Sequence, residues 1–252
     1  MTLALVTGGG RRVGAAIAAR LARAGYDLAL HGHSAVQPEP ALLAAIEAAG
    51  VRWAPFVADL SDECQVDALF PAVREAFGRS ADCLVNCASR FTEDRWEEVT
   101  MASLTEHFAV NAAAPARLAQ QLAEGLATDE DGVVINILDQ RVAAPPVDQA
   151  GYTASKMALA GITQAMARAL APRVRVCGVA PGLTLPTPDY SAAQIERLAA
   201  RMPLGRLPTP ADVADAVLFL VQARASTGQV IFVDGGASML CLERDFVFLD
   251  RD

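Results

Sequence analysis

The sequence is poor in the features that mark several large functional classes. It has no surplus of positive charge: 21 Lys and Arg stand against 29 Asp and Glu, a formal net charge of −8. A chain this acidic lacks the basic face that general nucleic-acid binding or anionic membrane binding requires. It has no paired cysteines. Cys64, Cys83, Cys87, Cys177 and Cys241 are odd in number, form no Cys-x-x-Cys pair and have no His at ligand spacing, which argues against structural zinc, any other bound metal and a disulfide framework. Reduced thiols and a cytoplasmic setting follow. No apolar run is long enough to span a bilayer. The apolar start, residues 2–6, runs straight into a glycine turn, which suits a first strand better than an export signal. Internal repeats are absent too.

What remains is a chain that is 53% apolar and only 20% charged, enough to build a sizeable core over 252 residues. Strand-like and helix-like segments alternate from the first residue. Strands are expected over residues 3–6, 27–31, 52–57, 83–86, 132–138, 174–179 and 229–233. Helices are expected over 12–24, 40–49, from an N-cap at Ser61 or Asp62, over 104–126 with a bend near Pro115, over 152–170, and over 210–222 with proline at its start. This alternation predicts one α/β domain over residues 1–252, a doubly wound parallel sheet of Rossmann type with helices on both faces. The least regular stretches, 89–101, 139–151 and 181–208, follow strand ends, where such sheets bind ligands.

Thr7-Gly8-Gly9-Gly10-Arg11-Arg12-Val13-Gly14 joins the first strand to the first helix. A glycine cluster alone specifies only a tight turn. Between a strand and a helix, Gly8 and Gly14 let the backbone approach a pyrophosphate, and the N–H groups around Val13 point at it. The second strand ends in His31-Gly32-His33-Ser34, without the acid that often holds the ribose 2′-hydroxyl of NAD. Arg11 and Arg12 lie nearby, where a guanidinium can meet a 2′-phosphate. Unpaired cations at a helix N-terminus oppose its dipole, so an anionic ligand is implied. These residues favour NADPH as cofactor. Asp59, after the third strand, is placed to accept from an adenine amino group.

Tyr152 and Lys156 are separated by one helical turn and share a face. An ammonium near a phenol favours its anion, which makes Tyr152 a proton donor useful near neutral pH.

Taken with Asp59-Leu60, Asn86-Cys87-Ala88, Asn111 and Pro181-Gly182, these motifs make the chain resemble the short-chain dehydrogenase/reductases over nearly its whole length. The resemblance implies that Lys156 also holds the nicotinamide ribose and that Asn111 anchors a water relay behind Lys156. It implies that Leu60, Asn86, Ala88, Ser89, Pro181 and Gly182 line the cofactor, with Thr184 on its carboxamide. It implies a homo-oligomer, by family habit a tetramer, and the apolar tail at residues 239–252 suggests packing against a neighbour, with folding onto its own subunit as the alternative.

Two positions depart from the common family pattern. Arg12 stands where glycine is usual, and Asp139 stands where the catalytic serine is usual, thirteen residues before Tyr152. Together with His33, Ser89, Phe91 and Leu183, these departures resemble the pteridine reductase branch, including dihydromonapterin reductases. That likeness implies that Arg12 reaches phosphate and pterin, that Phe91 stacks the pterin against nicotinamide, and that Asp139 works beside Tyr152. The expectation is an NADPH-dependent reductase of a pterin-like heterocycle. The alternatives are a general carbonyl or alcohol oxidoreductase of the same fold and a non-catalytic NADP sensor, against which intact Tyr152, Lys156 and Asn111 argue.

Overall fold

The computed structural model describes residues 2–250. Seven strands form one sheet: β1 (Thr2–Thr7), β2 (Tyr26–Gly32), β3 (Trp53–Val57), β4 (Cys83–Asn86), β5 (Gly132–Ile137), β6 (Val174–Pro181) and β7 (Val230–Val233). All pair in parallel, in the order β3-β2-β1-β4-β5-β6-β7. The helices are α1 (Arg12–Arg23), α2 (Pro40–Ala49), α3 (Glu63–Phe77), α4 (Met101–Phe108), α5 (Ala114–Gly125), α6 (Ala150–Ala169), α7 (Ala192–Arg201) and α8 (Pro210–Gln222). The doubly wound α/β fold expected from the alternating segments is the one observed.

Strand alternation divides the core into two layers. On β1, Ala4 and Val6 pack with Ile17 and Leu21 of α1 and Val213 and Val217 of α8. Leu3 and Leu5 point the other way, to Val66 and Leu69 of α3 and Leu118 and Leu122 of α5. Both faces are covered, so β1 reads as a continuous apolar run and not as an alternation. Burying each leucine contributes roughly 1.5–3 kcal/mol relative to exposure.

Helix boundaries have local causes. Asp62 caps α3 by accepting from the N–H groups of Cys64 and Gln65, settling which of Ser61 and Asp62 acts. Thr209 and Asp212 form a reciprocal capping box at α8. The single helix expected over 104–126 is instead α4 and α5 joined by a π-helical turn at Ala109–Ala113, immediately before Pro115. Pro115 has no N–H to give the carbonyl four residues back, that of Asn111, and the turn widens there. α7 lies within the stretch that sequence patterning left irregular. Among the described residues no helix is long and apolar enough to cross a membrane.

The order of the sheet reverses between β1 and β4, and the crevice of such a sheet opens beyond the strand C-termini at this point. A cleft of about 1190 Å³ lies there, bounded by the turns after β1, β2, β4, β5 and β6.

Candidate active site

One end of the cleft is main chain. Gly8 takes a left-handed conformation (φ +63°), and a Cβ there would stand 3.1 Å from the Cα of Ala88. A Cβ on Gly14 would stand 2.1 Å from the Gly8 carbonyl oxygen, so the turn closes only with glycine at this position. Arg12 is also left-handed (φ +55°). That explains why glycine suits this position and shows that the chain accepts backbone strain to place an arginine there. No side chain caps α1 through its N-cap residue, Arg11, and its first turn carries no acid. The Arg12 N–H instead meets the Glu39 carboxylate at 2.6 Å, so an intramolecular anion partly answers the helix dipole. Arg11, Arg12, Val13, His33, Ser34 and Leu60 line this end of the cleft. A glycine cradle, an uncapped helix start and two exposed arginines fit a dinucleotide carrying an additional phosphate.

Of three further residues expected at the cofactor, His31 and Asp59 line the cleft and Asn86 does not, and each already has partners within the chain. His31 is buried beneath the turn. Its Nδ1 accepts from the Gly8 N–H at 3.4 Å and its Nε2 lies 3.0 Å from the Ala58 carbonyl, so neither nitrogen is left for a phosphate. Burial pushes its pKa down, and a neutral ring with its proton on Nε2 satisfies both partners. Asn86 turns its side chain into the sheet, donating to Asn136 Oδ1 at 2.8 Å, and does not line the cleft. Asp59 accepts from the Ser61 N–H at 2.8 Å and hydroxyl at 2.7 Å, bonds that hold its pKa down, and faces His33 at 3.8 Å.

The other end of the cleft carries the reactive groups. Gln149, before α6, is left-handed and provides no side-chain cap. Asp94, from the loop after β4, supplies one by accepting the Gly151 N–H at 3.1–3.2 Å. This fixes the first turn of α6 and hence Tyr152. The Tyr152 hydroxyl donates to Asp139 Oδ2 at 3.1 Å. Asp139 Oδ1 accepts from both the N–H and the Nε of Arg141 at 3.0 Å. The Phe91 ring meets the Tyr152 ring edge-on at 5.0 Å, on the open side of the cleft. Ser89, Pro181, Gly182, Leu183 and Thr184 complete the lining around the reactive groups.

Lys156 is buried with its Nζ 2.8 Å from the Ile137 carbonyl and 5.5 Å from the centre of the Tyr152 ring. Burial pushes its pKa down to about 8. The expected lowering of the Tyr152 pKa is reversed in this state: burial, then the Asp139 charge, hold it well above the usual phenol value, against the pull of Arg141. Tyr152 is therefore a firmly protonated donor whose O–H already points at a carboxylate.

Asn111 does not line the cleft. All of its side-chain groups are engaged: Oδ1 accepts from Ser89 and the Arg90 N–H, and Nδ2 donates to the Arg90 carbonyl and Ser155 Oγ. It braces the loop after β4 against α6.

Arg141 was not legible as a site residue. Its guanidinium is buried, stacks 4.6 Å over the Tyr152 ring, and bonds Asp139, Gln149, Thr153 and Asp245. The only sequence signal is a cation two residues after a loop carboxylate. Burial opposes its charge, but Asp139, Tyr152 and Asp245 outweigh that and raise its pKa. Part of the tail folds onto its own subunit. Phe246 packs with Leu198 and Met202 of the same chain, and Gln194 of α7 donates to the Leu249 carbonyl at 2.6 Å. The described tail closes over its own cleft, while Met239 stays exposed. Among the described residues no cluster of three or more His, Cys, Asp or Glu side chains is placed to hold a metal.

A doubly wound parallel sheet with a glycine-turn cradle and a Tyr–Lys pair at its switch point defines a dinucleotide-dependent oxidoreductase. The family model described as enoyl-(acyl carrier protein) reductase matches residues 10–238. The chain belongs to the short-chain dehydrogenase/reductase family. It is 33% identical to the 3-oxoacyl-[acyl-carrier-protein] reductase FabG of Staphylococcus aureus, over 94% of this chain and 98% of that one. It is also 33% identical to the granaticin polyketide synthase putative ketoacyl reductase 2 of Streptomyces violaceoruber, over 94% and 96%. Among solved structures, FolM alternative dihydrofolate reductase 1 from Brucella suis, in complex with NADP, is 37% identical, with a TM-score of 0.85 and coverage of 94% and 95%.

Proposed function

We propose that this protein is an NADPH-dependent reductase of pterins, converting a dihydropterin to a tetrahydropterin. The observation that carries this reading is the Tyr152 hydroxyl bonded to the Asp139 carboxylate, with the Phe91 ring against Tyr152. An ionised carboxylate only accepts hydrogen bonds, so Asp139 offers a ketone oxygen nothing, whereas it can accept from the N–H groups of a pterin. Phe91 offers a flat heterocycle an aromatic face. NADPH, when bound, supplies the hydride that reduces the C=N carbon. Tyr152 delivers the proton to the ring nitrogen, and Asp139 positions that hydroxyl and exchanges its proton with solvent. Lys156 and the carbonyl of Ile137 hold the floor on which the nicotinamide ribose would rest. The likeness to an alternative dihydrofolate reductase supports this reading.

The rival is carbonyl reduction, which the ketoacyl reductase relatives favour. Oxidation of NADPH by dihydrobiopterin or dihydromonapterin, compared with a panel of ketones and 3-oxoacyl thioesters, separates the two. Pterins should be turned over with the higher kcat/KM. Efficient ketone reduction without pterin reduction overturns the assignment. We place the enzyme in the cytoplasm, consistent with five unpaired thiols, and as a homo-oligomer, with exposed Met101, Phe108, Met157 and Phe219 as candidates for subunit contacts.

A further inference from the structure

The tail reaches the reacting groups through two shared charges. The Val147 N–H donates to the Glu243 carbonyl at 2.9 Å, and Arg244 bonds both oxygens of Asp148 at 3.1 Å. Asp148 Oδ2 also accepts the Asp245 N–H at 3.1 Å. These contacts fix Asp245, whose Oδ1 caps its own turn at the Val247 N–H and whose Oδ2 accepts from Arg141 Nη2 at 2.8 Å. The same guanidinium serves Asp139, the carboxylate that holds the Tyr152 hydroxyl. A single buried cation is thus divided between a carboxylate of the site and a carboxylate of the tail. The tail in turn is tied to α7 through Gln194 and through the Arg201–Asp250 pair.

We propose that Asp245 is a positioning residue of the active site: by taking part of the Arg141 charge it governs how readily the Tyr152 hydroxyl, held by Asp139, gives up its proton, and it makes proton transfer depend on the tail being closed over the cleft. The inference rests on the reading of Asp139 and Tyr152 as the proton-transfer pair. The charged and titratable groups around it are few. Arg141 faces Asp139, Tyr152 and Asp245; Asp148 and Arg244 lie behind Asp245. Tyr152 faces Lys156, which has Cys87 beside it, and Asp94 and His107 lie against Gly151 at the start of the same helix. Among these groups Asp139 and Asp245 are the two carboxylates bonded to the guanidinium, Asp139 at Nε and Asp245 at Nη2.

Neutralising Asp245 leaves the whole Arg141 charge acting on Asp139 and Tyr152. A stronger positive field favours the phenolate of Tyr152, so the proton needed for transfer is lost at lower pH. In Asp245→Asn, the basic limb of the kcat/KM profile should move down by about one pH unit, with activity above the limb falling about tenfold. NADPH affinity and circular dichroism should be unchanged, which a merely structural role would not predict. Asp245→Glu should restore the wild-type limb. If Asn at this position prevents folding, Asp245→Ser removes the charge while keeping an acceptor for the Val247 N–H and carries the same test. A folded neutral variant with an unmoved limb overturns the inference. The limb is read with whichever substrate is reduced. Loss of activity in Asp139→Ser together with an unmoved limb in Asp245→Asn refutes this inference alone, whereas full activity in Asp139→Ser refutes the reading beneath it.

Discussion

At the scale of single residues, the proposed function turns on a few exchanges of chemical type at otherwise ordinary positions. Asp139 places an acceptor where a serine hydroxyl would place a donor, and Tyr152 spends its proton on it. Asp139→Ser should therefore depress pterin reduction by on the order of 100-fold or more, as loss of a proton-transfer group does, while NADPH binding stays nearly intact. Steady-state rates with pterin and ketone, beside fluorescence titration with NADPH, check this. Retained pterin activity would reduce Asp139 to the cap of the turn at Gln140–Val142. Arg12 is the other exchange. It accepts a left-handed backbone, and with Arg11 it lines the cofactor end of the cleft. One charge-assisted phosphate contact contributes roughly 1.5–3 kcal/mol, so Arg11→Ala or Arg12→Ala should cost about tenfold or more in kcat/KM for NADPH and little for NADH. A wild-type enzyme equally efficient with both cofactors would refute the preference for NADPH.

At the scale of elements, the turns after the strands matter more than the strands themselves. The β1–α1 turn is held from below by His31 of β2, whose ring needs an acceptor nitrogen toward Gly8 and a donor toward Ala58. Protonation destroys the acceptor. Burial lowers the folded-state pKa below the usual value near 6.5. In that case the unfolded chain binds a proton first as pH falls. The contribution of His31 to stability is complete above about pH 6.5 and is lost as pH drops from there through the lowered folded-state value. Chemical unfolding followed from pH 7.5 down to pH 5 should show stability declining across this window in the wild type, with that portion of the slope missing in His31→Asn. Equal slopes in the two proteins would assign the decline to other groups. The α4–α5 region makes a related point: one proline disrupts a helix, and the widened turn brings the buried Asn111 to brace the loop that carries Ser89 and Arg90.

At the scale of the whole molecule, both faces of the sheet are covered by helices, yet several large apolar side chains remain outside. Met101 and Phe108 on α4, Met157 on α6, Phe219 on α8 and Phe232 on β7 are exposed. Scattered singly they would need no explanation, but several fall on neighbouring helices, as subunit interfaces require. Light scattering at micromolar protein should return a mass that is a multiple of 26.4 kDa. A monomer under those conditions would sink the oligomer. The tail should not be what holds it together, since Phe246 is buried within its own chain.

The order of elements, the parallel sheet, the glycine turn, the Tyr152–Lys156 pair and the displaced Asp139 were all legible in the sequence. The elements, the turn and the Tyr152–Lys156 spacing depend on contacts within a few residues or on a period of apolar side chains, which local sterics and patterning fix directly, whereas Asp139 stood out through the resemblance to a family that usually has serine there. Other features were decided only when the chain closed. His31 and Asn86 carry polar groups that look available in a list of residues, but the fold buries them, with both His31 ring nitrogens and the Asn86 Nδ2 already bonded within the chain. Arg141 and Asp245 are separated by 104 positions and show no shared pattern, and they meet because the tail folds over the cleft. A buried charge must find its partners wherever the fold brings them, because low-dielectric surroundings make an unpaired one costly. Local spacing marked the candidate reactive residues, and long-range charge pairing decided how they are held.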